Sequence, residues 1–389
     1  MMLKKISLLA ALLICSTGGL FAQNPALLGQ DTTRRVINTS LPFLNIAPDA
    51  RSAGMGDMGV AMSPDANTTH WNASKVAFLK NKFGFAFSYS PWLQRFVGDM
   101  SLSYLSGYYK IDELQGLSSS LRYFNLGNFS FTDDIGNPIR DFTPREFAFD
   151  VSYARKLSER LSVGVTARYL HSNLTADLIL SNQTETRAVN SASFDLSMFY
   201  QSEALDFMGL NSSFAFGANL SNLGPKVSYS NANEADFIPT NLRVGFASTT
   251  YLDDYNKFTF GMDFNKLLVP TPPQIDGQGN IISGRNPRDV GVIQGMASGL
   301  FQAPGGFREK MQEVSIATGV EYWYNDLIAA RIGYFYENEN KGNRRYFTIG
   351  LGMRYNLFGL DVAYLLPQNQ NNPLAETLRF TLLFDFKND

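Results

Sequence analysis

A chain of 389 residues with 33 basic and 35 acidic side chains, net charge −2, carries no surplus of positive charge, which argues against a nucleic-acid binder. Its 31 Phe and 18 Tyr against 3 Trp make it rich in aromatics, yet a mean hydropathy of only −0.13 is too polar for a bundle of membrane helices. That balance fits strands with one side toward lipid and the other toward a wet interior.

The first residues read as an export signal. Lys4 and Lys5 form a charged region, Ile6 to Ile14 an apolar stretch too short to span a membrane, and Leu20-Phe21-Ala22 a cleavage site. A signal peptide over 1–22 is therefore expected. Cys15 lies inside it, and the preceding Ile14 is too large for a lipoprotein cleavage box. The exported chain then has no cysteine, so a large sheet rather than disulfides must supply stability.

Residues 23–80 lack periodicity and are expected to form a plug, periplasmic or lumenal, because a barrel of this size left unfilled would be an open channel. Gly54-Met55-Gly56-Asp57-Met58-Gly59 spells the G-x-G-x-x-G of a dinucleotide site. Such a site needs a strand before it and a helix after it, whereas here Pro48-Asp49 precede and Ser63-Pro64 follow. The better reading is glycines that let backbones approach closely inside a barrel. Gly54, Met55, Gly56, Trp71 and Asn72 are the residues expected to pack the plug.

From residue 81 to 389 the dominant rhythm has period two, the signature of strands with two unlike faces. Alternation predicts strands over 82–90, 97–109, 113–126, 146–156, 160–173, 190–201 and 210–222. Seven more follow over 240–251, 256–268, 312–324, 327–337, 344–355, 358–366 and 374–387. In the first, Phe83, Phe85, Phe87 and Tyr89 share a face; in the second, Met100, Leu102, Tyr104 and Tyr108 form the apolar set. An even total of fourteen, all antiparallel, suits a transmembrane β-barrel. Arg122, Asp150, Arg168, Asp195, Arg243, Asp263, Arg331 and Asp361 fall on the polar phase and are expected to form a lumenal charge network holding the plug.

Link length sorts by parity. Links 127–145, 174–189, 223–239 and 269–311 are long, whereas Leu157-Ser158-Glu159, Asn325-Asp326 and Asn356-Leu357 are short. Outer-membrane barrels put short turns in the periplasm and long loops outside. The loop 269–311 is dense in Pro and Gly, which argues against regular pairing, and its Val290 to Phe301 stretch is more apolar than a solvated loop requires.

Two histidines and no mature cysteine leave no His-rich zinc site, and no cofactor is expected. Asp133-Asp134 and Asp253-Asp254 read as turn residues, without the glutamate an EF-hand needs. His171 stands close to Ser172 and Asp177, which supports an outer-membrane lipid hydrolase as a minor alternative.

The run Ala47-Pro48-Asp49-Ala50-Arg51-Ser52-Ala53-Gly54-Met55-Gly56-Asp57-Met58-Gly59-Val60-Ala61, then Ser63-Pro64-Asp65-Ala66 and His70-Trp71-Asn72, resembles the PorV (LptO) family of the type IX secretion system. That family is a branch of the FadL-like outer-membrane barrels, with fourteen strands and an N-terminal plug. The broader signature has Asn-Pro-Ala where this chain has Asn72-Ala73-Ser74, and Phe386 is followed by three further residues instead of closing the chain. The resemblance implies an outer-membrane, non-enzymatic cargo shuttle. Such a protein accepts the C-terminal signal domain of exported cargo from a giant translocon barrel and delivers it to a sortase-like attachment complex, where the cargo is anchored to lipopolysaccharide. The long loops then offer the docking surface, with Val292, Ile293, Phe301, Phe307 and Arg308 as expected partner contacts. A FadL-type transporter of hydrophobic small molecules is the runner-up.

Overall fold

A computed structural model describes residues 34–93, 98–132, 135–175, 185–276, 280–368 and 377–386. The expected signal peptide, residues 23–33 of the expected plug, Asp133-Asp134, Asp177 and both ends of the last predicted strand lie outside the described residues.

Fourteen long strands form the wall: β1 Phe83–Pro91, β2 Ser101–Lys110, β3 Gln115–Asn125, β4 Arg145–Lys156, β5 Leu161–Asn173, β6 Val189–Gln201 and β7 Leu210–Leu223. The second half comprises β8 Asn241–Tyr251, β9 Asn256–Leu267, β10 Val314–Tyr324, β11 Ile328–Tyr336, β12 Arg345–Tyr355, β13 Phe358–Pro367 and β14 Leu378–Phe386. Each pairs antiparallel with its neighbours in chain order. The ring closes where β1 meets β14, with Phe83 opposite Phe386 and Tyr89 opposite Phe380. Among the described residues, closure leaves the wall no unpaired edge, the condition for crossing lipid with strands.

Side chains sort by face as the alternation requires. Phe85, Phe87, Leu121, Phe149, Val165, Leu196, Ile332 and Leu351 are exposed on the outer wall, while Ala86, Ser88, Ser120, Ser152, Thr166, Ala317 and Thr348 are buried within. Large apolar groups outside and small or polar ones inside invert the rule for soluble proteins and match a lipid surround. In β2 the expected phase is reversed: Met100, Leu102, Tyr104 and Tyr108 point inward and are buried. The cause is the N-terminal segment, whose Phe43 and Leu44 pack with Met100, Leu102 and Phe124 in one apolar cluster.

Short turns join β2–β3, β4–β5, β8–β9, β10–β11 and β12–β13 at one end. Asn325 and Asp326 both take left-handed φ values of 52° and 50°, as a two-residue hairpin turn needs. The β6–β7 link is longer than parity suggests, because Leu205–Phe207 adds a short strand against β7. At the opposite end the long links carry structure of their own, including a hairpin of Phe129–Thr132 with Pro138–Phe142.

Residues 34–80 run through the barrel from the long-loop end to the short-turn end. Ser40 N–H donates to Phe237 O (2.9 Å) near the long loops. Helix α1 (Ala50–Ala53) sits midway, where Ala50 N–H donates to Thr381 Oγ1 (2.8 Å). Past α2 (Thr68–Trp71), Phe78 reaches Phe199 edge to face near the short turns.

Candidate functional site

Inside the barrel, charge is paired rather than displayed. Arg331, fully buried, donates to Glu321 Oε2 (2.7 Å) and Asp361 Oδ1 (2.8 Å). Glu321 also takes two bonds from Arg51 (2.9 and 2.8 Å), and Arg51 reaches Asp65 (2.9 Å), so one chain of ions ties the N-terminal segment to three strands. Arg168 bridges Asp150 (2.6 Å) and Asp195 (2.9 Å). Asp263 receives the Gly59 and Val60 N–H groups (2.7 and 2.9 Å). Arg243 lies over the Trp71 ring, 5.1 Å from its centroid. Arg122 donates to Phe43 O and Leu44 O (3.1 and 2.8 Å) and to His70 Nδ1. A guanidinium only donates, so the neutral ring accepts through Nδ1.

The five expected packing residues are all buried here. Gly56 has φ +75°, and a Cβ on it would stand 2.7 Å from the backbone N and O of Tyr334. Trp71 Nε1 donates to Asp49 (2.7 Å). Asn72 Nδ2 donates to Val60 O and Met198 O (3.0 and 2.9 Å), while its Oδ1 receives Ser74 N–H (3.2 Å) and caps the turn Ala73–Phe78. The Asn thus holds the turn where the broader signature has proline next. Glu321 and Arg379, which share the inward phase of their strands, complete the network without having been singled out in the sequence, and Arg51, quoted there only within the family run, joins them.

Two openings flank this packed layer. An outer vestibule of about 260 Å³ is lined by Val36, Asn45, Asp57, Arg243, Lys341 and Tyr346 among others. An inner cleft of about 390 Å³ includes Arg51, Asp65, Lys80, Glu321 and Asp385. They have no lining residue in common. Met55, Met58, Ala53 and Asp263 lie between them with no accessible surface.

The link from β9 to β10 is the largest structure at the outer end. Despite its prolines it holds a hairpin, Gln274–Ile275 with Ile281–Ser283, and two helices, α3 (Val292–Phe301) and α4 (Gly306–Gln312). The apolar stretch noted in the sequence is α3. Gly299 brings that helix onto the backbone of Leu268 and Val269, within 2.6 Å of where a Cβ would be, so a larger residue has no room.

Charge latches the loop down. Glu309 accepts from Arg35 (2.9 and 2.8 Å), Lys341 (2.6 Å) and Gly305 N–H (2.7 Å). Glu313 accepts from Lys310 (2.8 Å), Lys341 (3.1 Å), Thr271 (2.6 Å) and Lys266. Burial opposes ionisation of Glu309, but the bonds from Arg35 and Lys341 outweigh it and hold the carboxyl down to about 2. Glu313 is likewise lowered: Lys266 and Lys310 overcome its burial. The N-terminal segment, the β11–β12 link and the long loop are thereby joined at the outer rim.

Above the latch, apolar groups stay uncovered. Ile293 is 84% exposed, Phe307 81% and Phe301 76%; Arg308 is exposed, and Val292 is half-buried on the packing side of α3. These five do not form one cluster. Phe301 and Phe307 line a groove of about 310 Å³ against the outer wall, of which Ile293 is not part. Phe301 also borders a cavity of about 470 Å³ between α3 and the hairpin, with Arg285, Gln294 and Gln302.

The Ser–His alternative fails on geometry. Ser172 points inward, bonded to Glu146 Oε1 and Tyr229 OH (both 2.7 Å). His171 points outward to Asn190 Oδ1 (2.9 Å), because neighbours on a strand face opposite sides. The pair expected as a dyad is split by the sheet.

A closed antiparallel barrel with an apolar exterior and an interior filled by its own N-terminal segment defines an outer-membrane β-barrel. The family described as "Type IX secretion system protein PorV" matches residues 29–274, and the chain belongs to that family. It is thus an outer-membrane barrel of the type IX secretion system. A comparison with curated proteins gave no match. Among solved structures it is similar to the deltaS2 mutant of the TodX monoaromatic hydrocarbon channel, at 10% identity over 87% of this chain and 96% of that one, TM-score 0.49. A FadL homologue of Pseudomonas aeruginosa aligns at 10% identity over 90% and 99% of the two chains, TM-score 0.46. The toluene transporter TbuX of Ralstonia pickettii aligns at 12% over 88% and 100%, also with TM-score 0.46. Likeness at this level carries no functional weight.

Proposed function

We propose that this protein is a non-enzymatic adaptor of type IX secretion: it receives the C-terminal signal domain of exported cargo at the giant translocon barrel and hands it to a sortase-like attachment complex. In this reading residues 1–22 are removed on export, 23–80 act as the plug, and 81–389 form the barrel with its docking loop at 269–311. Attachment of the cargo to lipopolysaccharide happens on the partner complex.

The observation that carries the reading, beside family membership, is the loop between β9 and β10. Its base is fixed by buried ion pairs while Ile293, Phe301 and Phe307 remain uncovered. A rigid base under exposed aromatic and aliphatic anchors suits a protein partner, since ordering costs are met before binding. Transport of hydrophobic small molecules finds no support in the outer vestibule and inner cleft, which carry charged linings and share no residue.

Deletion of the gene tests the proposal. Signal-bearing cargo should accumulate in the periplasm, and the full-length chain should restore surface display. Normal display in the deletion strain overturns it.

A further inference from the structure

The groove under Phe301 and Phe307 opens sideways, not upward. Its floor includes Val244 and Phe264, 46% and 44% exposed, which belong to the outward phase of β8 and β9. Both stand three residues from the outer ends of their strands, at Asn241 and Leu267. At about 3.3 Å per residue this is roughly 10 Å along the strand, inside an apolar band about 25 Å tall. The groove therefore continues the lipid-facing wall of the barrel.

Helix α4 divides its side chains to match. Phe307 and Met311, one turn apart, line the groove, whereas Glu309 and Lys310 turn into the latch. The two polar side chains that border the groove, Lys266 and Lys310, are both bound to Glu313. Both lysine charges are thus compensated within the protein, and Leu242, Leu300 and Val314 complete apolar walls. Such a site suits a hydrocarbon chain.

We infer that the groove seats an acyl chain of an outer-leaflet lipid, and that Phe307, Met311 and Phe301 dip into the membrane beside the barrel. The long loop is then held from two sides, by ion pairs toward the lumen and by lipid on the outside. Ile293, on the far side of that brace, is left for other contacts. This inference rests on the membrane embedding of the barrel; it gives Phe301 and Phe307 to lipid and leaves Ile293 as the uncovered anchor of the cargo reading.

Tryptophan fluorescence in vesicles tests it with the full chain. The three native tryptophans, Trp71, Trp92 and Trp323, are buried, so their emission can be subtracted with wild-type protein. Phe307→Trp, Met311→Trp and Ile293→Trp each report one exposed position. In phosphatidylcholine vesicles with dibrominated acyl chains, the added emission at 307 and 311 should be largely lost and resist aqueous iodide. At 293 iodide should quench and brominated lipid should not. Iodide quenching at 307 and 311 equal to that at 293, or no effect of bromine there, overturns the proposal; it would mean a groove open to water and kept for a protein.

Discussion

The interior of this barrel and its outer loop solve opposite problems with the same residue types. Within the wall, Arg51, Arg331 and Glu321 are consumed by one another and by the N-terminal segment, and backbones touch at Gly54 and Gly350. At the rim, Glu309, Glu313 and Lys341 form an equally dense cluster, yet it supports helices whose large apolar groups are bare. Buried ion pairs contribute little net stability but are costly to break, so they serve well as fixtures of geometry. In one region they fill a lumen; in the other they present a surface.

Five substitutions probe that contrast. The largest effect is expected for Gly56→Val, which places a branched side chain at φ +75° against the Tyr334 backbone. It should cost more than about 4 kcal/mol and leave no heat-modifiable folded band on electrophoresis; a normal band would show that the interior is loosely packed. Next, Arg331→Met removes the cation that Glu321 and Asp361 share, leaving the buried cluster one positive charge short although Arg51 still reaches Glu321 and Arg354 still reaches Asp361. A loss of about 3–5 kcal/mol in detergent unfolding is expected, and a loss near zero would remove the ion chain from the account.

At the rim, Lys341→Met should cost about 1–3 kcal/mol locally, seen as faster hydrogen exchange over 285–305 with exchange in the barrel strands unchanged. The same segment should respond to acid. The Glu309 carboxyl is depressed when folded, so its contribution is complete above the ordinary carboxylate range near about 4.3 and is lost as pH falls toward about 2. Exchange over 285–305, corrected for intrinsic rates, should therefore rise across that window in wild type and less so in Glu309→Gln. The smallest effect on stability, within about 0.5 kcal/mol, is expected for Ile293→Ser. Its effect on binding should be larger, about 2 kcal/mol if it acts as an anchor, measured by titration with an isolated cargo signal domain.

Much of the wall was legible because period two leaves little freedom: all fourteen expected strands are present, and the expected ends that fall on described residues are met within a few residues. β2 misled because both of its phases carry apolar groups, and only the packing of Phe43 and Leu44 decides which faces in. The helices of the long loop escaped notice for a local reason. Gly291 and Gly305 at their N-termini supply no capping side chain, and proline and glycine surround them. Lumenal charges such as Arg168 and Asp361 could be read from strand phase. The latch could not, since Arg35, Glu309 and Lys341 are far apart in sequence and meet only when loops at one end of a closed barrel converge.

The central claim is that the outer loop, and not the interior, meets exported cargo. A photo-crosslinking residue at Ile293, compared with one at Met58, tests it most directly in cells making signal-bearing cargo. The account expects adducts with the cargo signal domain at 293 and only intramolecular products at 58. Secretion proceeding normally with no cargo adduct at 293, or with cargo captured at 58, would contradict it.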